Sequence, residues 1–390
     1  MREQDTENGG VGSGKTPGLK HPDAAGIDLG ARVHYVAVPD GRDEKTVRAF
    51  GTTTPELLQL CQWLKRCGLT TVAMESTGVY WIPLYELLEE HGIEVYLVNA
   101  KHLKNVPGRK TDVQDCKWLQ ELHSYGLLRA SFRPSLEVCE LRTYNRQREE
   151  LVRRSSAEIQ HMQKALTLMN VRLDTAINDV TGTTGMAIIR DILSGNRDPA
   201  TLARHRDRRC SASEKEIAAA LTGNYRSEHV FVLRQAVQAY DFLLEQIRAC
   251  DQEIERVLGA LAQRCPQPEA PLPKPRDKRK PRPSEPAFDT RTPLYRLTGC
   301  DLSQINGLGP HTILKIVAEI GPDVSAWPNE KHFTSWLRLA PGNNITGGKR
   351  RRSRKEPAAN RVAQCLRVAA MSLGRTNTAL GAFYRRLAAR

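Results

Sequence analysis

Four carboxylates in this 390-residue chain stand where chemistry can use them. Asp28 closes the apolar run of "AAGIDLG", and Glu75 closes that of "TTVAMES". Asp112 and Asp115 lie three residues apart in "GRKTDVQDCKW", at the start of a helical pattern, so they share one helix face. Arg109, Lys110 and Lys117 flank them, which leaves two readings: salt-bridge partners, or ligands for something else. Like charges raise one another's pKa, so four carboxylates brought together require a cation. Magnesium takes carboxylate oxygens and water, and two such ions side by side clamp both ends of a phosphoryl transfer. That is the logic of RNase H-like nucleases and recombinases. Taken singly, the four have plainer uses: Asp28 in a turn, Glu75 in an ion pair, Asp112 as a helix cap.

The elements that must position these residues read as an α/β layer. "AAGIDLG" and "VHYVAV" are two short strands joined by a glycine-containing turn. A strand over 70–75 follows, then a helix in "WIPLYELLEEHG" ending at Gly92, a strand over 93–99 and a helix ending near Gly126. Strand ends and helix starts of such a sheet converge on one edge, which is how residues so far apart in sequence meet.

The rest of the chain differs in texture. Residues 1–23 read as a solvated, disordered tail, and 24–134 as the α/β domain. Residues 135–265 hold two long helical patterns, around 141–169 and 230–262, expected to pair as an antiparallel coiled coil, with shorter helices between them. Residues 266–290 are rich in proline and cations and are expected to form an extended, flexible linker or a basic arm. Residues 291–390 form a mainly helical C-terminal domain. Within it, "INGLG" sits between two helical patterns like a helix-hairpin-helix, whose turn amides at Gly307 and Gly309 grip a DNA phosphate. Further on, "GGKRRRSRK" offers a clamp for the phosphate backbone from Gly347, Gly348, Lys349, Arg350, Arg351, Arg352, Arg354 and Lys355. Arg109 and Lys110 are placed to hold a phosphate near the carboxylates.

The totals agree with a nucleic-acid partner. The formal net charge is +14, which points to a polyanion, and no apolar run approaches the roughly 20 residues that cross a bilayer. Nine cysteines without any C-x-x-C pair exclude the common zinc spacings and read as reduced thiols in a cytoplasmic, nucleoid-associated protein.

Three stretches carry a family resemblance: "GIDLGARVHYVAV", the run from "VAMESTGVY" through "GRKTDVQDCKW" to "HSYGLL", and "WLRLAPGNNITGGKRRRSRK". They resemble the DEDD-type transposases of bacterial insertion sequences, the family numbered one hundred and ten. The resemblance implies a RuvC-like domain of the RNase H type whose acidic residues match Asp28, Glu75, Asp112 and Asp115. It also implies a coiled-coil middle, a C-terminal transposase domain, two bound magnesium ions, a noncoding guide RNA that pairs with DNA, and a homo-oligomer, dimer or tetramer. Family members use a C-terminal serine as nucleophile. Its position falls here on Thr346, followed by Gly347; Thr346 or the nearby Ser353 are the candidate hydroxyls. Two other functions stay open at this stage: a junction nuclease that uses water, and a non-catalytic nucleic-acid-binding relic.

Overall fold

The structure is a computed structural model, and it describes residues 18–76, 78–99, 111–276, 282, 284–340, 345–347, 349–350 and 360–389. The chain divides into two compact units, the first ending at Arg133 and the second beginning at Pro134.

The first unit runs β1 (Ala24–Leu29), β2 (Val33–Ala37), β3 (Val47–Gly51), α1 (Thr54–Arg66), β4 (Thr71–Glu75), α2 (Trp81–Glu90), β5 (Glu94–Val98) and α3 (Asp112–Ser124). The sheet order is β3-β2-β1-β4-β5. The first three strands are antiparallel, and β4 and β5 run parallel to β1. Alternation along the strands sorts its two faces. Ala25, Ile27 and Leu29 of β1 and Val72 and Met74 of β4 enter a core with α1 and α2. Each of the larger side chains among them contributes roughly 1.5–3 kcal/mol. The other face of the sheet lies under α3, to which the Thr71 hydroxyl is tied through His123 Nε2 at 2.9 Å.

The folded chain begins ahead of Ala24, inside the stretch expected to be tail. The amides of Lys20 and His21 donate to the Ser124 carbonyl at 2.8 and 3.0 Å. The last carbonyls of a helix have no partner within it, and the incoming chain supplies donors to one of them.

The second unit is helical. α4 (Leu136–Leu168) and α9 (Ser227–Arg264) are its long pair, joined through α5 (Leu173–Ala176), α6 (Thr183–Ser194), α7 (Pro199–Ala203) and α8 (Glu214–Ala220). The cross-links run in opposite senses along the two helices: Glu137 with Arg264, Glu140 with Arg256, Arg148 with Asp251. The pair is therefore antiparallel. After it come α10 (Arg291–Thr298), a 3₁₀ turn (Leu302–Gln304), α11 (Pro310–Ile320), α12 (Glu330–Trp336), β6 (Ile345–Thr346), β7 (Lys349–Arg350), α13 (Arg361–Leu373) and α14 (Ala379–Ala388).

Two expectations change here. The helix expected just before "NGLG" is only that 3₁₀ turn, so the element is α10, an irregular turn and α11 rather than a tight helix pair. The described residues of the proline-rich segment form no helix or strand, and they are held in place rather than free. Its carbonyls accept from Arg148 (to Ser284, 2.9 Å), Tyr295 (to Ala270, 2.6 Å), Arg291 (to Pro273, 2.7 Å) and Gln304 (to Lys274, 3.1 Å). Proline removes donors, not acceptors, and neighbouring side chains use what remains. Leu141, Leu258, Leu294 and Leu314 share one core, so coil, linker and C-terminal helices form one unit. No helix among the described residues is long and apolar enough to cross a membrane.

Candidate active site

Asp28 is the penultimate residue of β1 and Glu75 the last of β4. The two strands are parallel neighbours, so their carboxyl ends share one edge of the sheet. Asp28 alternates with the core residues Ile27 and Leu29, which turns it to the face under α3. Asp112 opens α3 and Asp115 completes its first turn. Thr111 is the N-cap, its hydroxyl accepting from the Gln114 amide at 3.3 Å. Capping is thus Thr111's task, and neither aspartate is needed for it; both still suit the positive end of the helix dipole.

Gly26 sets the depth at which α3 lies. A Cβ there would stand 2.2 Å from the Cys116 carbonyl oxygen and 2.3 Å from the Gln120 amide nitrogen. Both are backbone atoms of α3 and cannot step aside. Glycine two residues before Asp28 is therefore what lets the helix lie on the strand and carry its first turn to the strand's end. A glycine inside a strand pattern was the available sign of such an approach.

Asp28 lies within Coulombic reach of the other three carboxylates. Asp28 is half-buried, and its pKa is pushed up to about 6, first by burial, then by Asp112, Asp115 and Glu75. Among the described residues, the Leu29 backbone amide works the other way. The neighbouring Cys116 thiol is pushed up to about 11, by burial first and Asp28 second. All donors of the quartet are carboxylate oxygens, the chemistry a hard divalent cation takes. Among the described residues, no three His, Cys, Asp or Glu side chains stand close enough to hold an ion together. The quartet is gathered within Coulombic reach and not to ligating spacing, so the donor chemistry fits a metal while the side-chain positions are more open than a bound ion needs.

Deeper under α3, His123 is fully buried, packed against the rings of Tyr96 at 4.4 Å and His21 at 4.8 Å. Burial, and then His21, push its pKa down to about 4.

In the second unit, Thr346 ends β6 and pairs with Lys349 of β7, with Ile345 opposite Arg350. Gly347 follows with φ +59°, the left-handed conformation a two-residue hairpin loop requires. Gly307 likewise has φ +89°, and Gly309 is the N-cap of α11. Arg109, Lys110, Gly348, Arg351, Arg352, Ser353, Arg354 and Lys355 lie outside the described residues.

Comparison with known proteins bears on both units. A family model described as a transposase, the DEDD transposase of IS110, matches residues 25–171. A second, described as transposase of the IS116/IS110/IS902 family, matches residues 301–385. No curated protein matches the chain. The first match contains all four carboxylates, and the second contains "NGLG", Thr346 and the basic run. The chain belongs to the IS110 family of transposases, enzymes that act on DNA.

Proposed function

We propose that the chain is the site-specific recombinase of an insertion sequence, cutting and rejoining DNA with Asp28, Glu75, Asp112, Asp115 and the hydroxyl of Thr346. The observation that carries this reading is the Asp28 carboxyl, raised by burial first and then by three carboxylates from β4 and α3. Chains do not gather like charges at a sheet edge without use for them. The first unit is read as RNase H-like (RuvC-like): an antiparallel trio of strands continued by two parallel ones, with carboxylates at the ends of β1 and β4, supports it.

Magnesium ions, two in this reading, would be held by the four carboxylates and, when bound, supply positive charge to the phosphate under attack. The chain's own residues do the rest. Thr346 Oγ1 gives up its proton and attacks phosphorus. The phosphodiester bond to the leaving sugar oxygen breaks, that oxygen takes a proton, and the strand end stays joined to the threonine as a phosphoester. The reverse attack by another strand's hydroxyl rejoins the DNA and frees Thr346. The methyl of threonine stiffens χ1 relative to serine, which narrows the approach but leaves the nucleophile in place.

Lys349, Arg350 and the cations of 351–355, with Arg109 and Lys110, neutralise DNA phosphates without reading sequence. An element-encoded RNA supplies the sequence choice, and a homo-oligomer brings the DNA ends together; the net charge of +14 supports polyanionic partners in general.

The test is a strand-exchange assay with magnesium, the element's DNA ends and its RNA, with a gel for protein–DNA adducts. Thr346→Ala should abolish exchange and the adduct, and Asp115→Ala should lower both by about a hundred- to a thousandfold. Cleavage that survives Thr346→Ala but not Asp115→Ala makes the chain a water-using nuclease. Activity in both variants sinks the proposal.

A further inference from the structure

A cavity of about 870 Å³ opens in the second unit beside the start of α11. Gly309, His311 and Thr312 line it, with Lys315 one turn along and Asn145 from α4. Three observations mark it as a ligand site.

The first is the bare helix start. α11 has no side-chain cap at Gly309, and Pro310 has no amide to offer. The first helical hydrogen bond is made by Ile313, to the Gly309 carbonyl at 3.0 Å. The amides of His311 and Thr312 have no acceptor within the helix and favour an anion.

The second is Asn145. It is only 2% exposed, yet its side-chain oxygen has no hydrogen-bond partner, and neither does His311 Nε2. A buried polar atom left unbonded is costly, and a ligand in the cavity relieves that cost.

The third is the choice of glycine. Gly307 is explained by the fold: its φ is +89°, and a Cβ would stand 3.0 Å from the Ala369 carbonyl oxygen. Gly309 is not. Its φ of −97° suits any residue, and a Cβ would meet nothing within 4 Å. Packing does not need glycine there; the N-cap position favours it, and it also leaves room for close approach of a ligand.

We propose that this cavity binds one nucleotide unit of a nucleic-acid strand, its phosphodiester on the α11 amides and Lys315, its base edge on Asn145 and His311. Among the described residues, five cationic side chains and four carboxylates line the space, one net positive charge, which suits a single phosphodiester. An asparagine amide offers a donor and an acceptor side by side, as a base edge does. The inference rests on the transposase reading only for the source of the strand; it uses neither the acidic site nor Thr346.

The test uses the full chain carrying Asp28→Asn, in EDTA, so that no strand is cut. Calorimetric titration with each deoxynucleoside and ribonucleoside 5′-monophosphate is compared with inorganic phosphate. At least one nucleotide should bind about tenfold tighter than phosphate, the worth of one good base-edge contact. Asn145→Leu should reduce that nucleotide to the affinity of phosphate. Gly309→Val should remove binding of both while leaving the melting temperature unchanged. A preference for the deoxy or the ribo series identifies DNA or RNA as the strand. Nucleotides that bind no better than phosphate, or variants that titrate like the parent, overturn the proposal. A lowered melting temperature for Gly309→Val overturns the reading of that glycine. Since cleavage is not measured, strand exchange can fail its own test while this site passes, and the reverse.

Discussion

The two units hold their candidate chemistry in different ways. In the first, every carboxylate sits at the end of an element whose body is locked by packing: Asp28 on a central strand, Glu75 on its parallel neighbour, Asp112 and Asp115 on a helix pressed to the sheet at Gly26. In the second, Thr346 ends a two-residue strand beside a turn, and the "NGLG" glycines lie on a turn at the start of α11. A site built from side chains on packed elements can hold repelling charges near one another, because the elements cannot move apart. A site built on turns offers amides and room, and its sensitive positions are those where a side chain would fill that room.

The sharpest way to break this comparison is through strand exchange. Asp28→Asn or Asp115→Ala should lower the rate by about a hundred- to a thousandfold, as loss of a preorganised charge-stabilising group does. The double variant should be little worse than either, because groups that act as one site are not additive. Losses that multiply would show four independent carboxylates. In the second unit, Thr346→Ser should keep the covalent adduct, since it returns the less hindered hydroxyl.

Stability separates the two units next. Gly26→Val forces a side chain into the backbone of α3, and it should cost the first unit about 3 kcal/mol, read as a shift in its urea midpoint. Gly309→Val meets open space and should stay within about 0.5 kcal/mol. Equal costs would remove the distinction between a glycine that serves packing and one that leaves room.

The acidic quartet was legible because each member ends or begins a local pattern: an apolar run that stops at Asp28, another at Glu75, a DxxD at a helix start. The long pair α4 and α9 was legible from periodicity alone. Other features depend on contacts between residues far apart. Gly26 matters because of backbone at residues 116–120, and Asn145 reads as one more polar residue of a charged helix until α11 is seen beside it. The pinning of the proline-rich carbonyls belongs to partners outside that segment, Arg148, Arg291 and Gln304 among them. β3 and α1 were not singled out, although Thr53 and Glu56 form a capping box at the start of α1. The helix expected before "NGLG" shrank to a 3₁₀ turn that Asp301 caps, its side chain accepting from the Ser303 amide at 3.1 Å.

The smallest effect is the most discriminating one, and it concerns acid. His123 takes up a proton at about 6.5 in the unfolded chain but not until about 4 when folded, so its burial stabilises at neutral pH and is lost as pH falls from 6.5 to 4. Asp28 has the opposite sign. Folded, it holds its proton up to about 6, whereas unfolded it releases it near 3.8, so stability is gained as pH falls through that window. Each shift of two or so units corresponds to about 3 kcal/mol at most, less for the partly exposed Asp28. The two windows overlap, and in the metal-free first unit Asp28 offsets part of the stability that His123 and His34, also pushed down by burial, lose. His311 of the second unit is also pushed down to about 4, by burial first and then by Lys315 and Arg148, and among the described residues no carboxylate there is raised as Asp28 is. Hydrogen exchange from pH 7 to 4.5 in EDTA, corrected for intrinsic rates, should therefore show protection falling less in the first unit than its two buried histidines alone would give. Asp28→Asn should make the first unit fall more steeply. If that variant leaves the first unit's profile unchanged, the charge repulsion assigned to the sheet edge is absent, and with it the reason to bring a metal there.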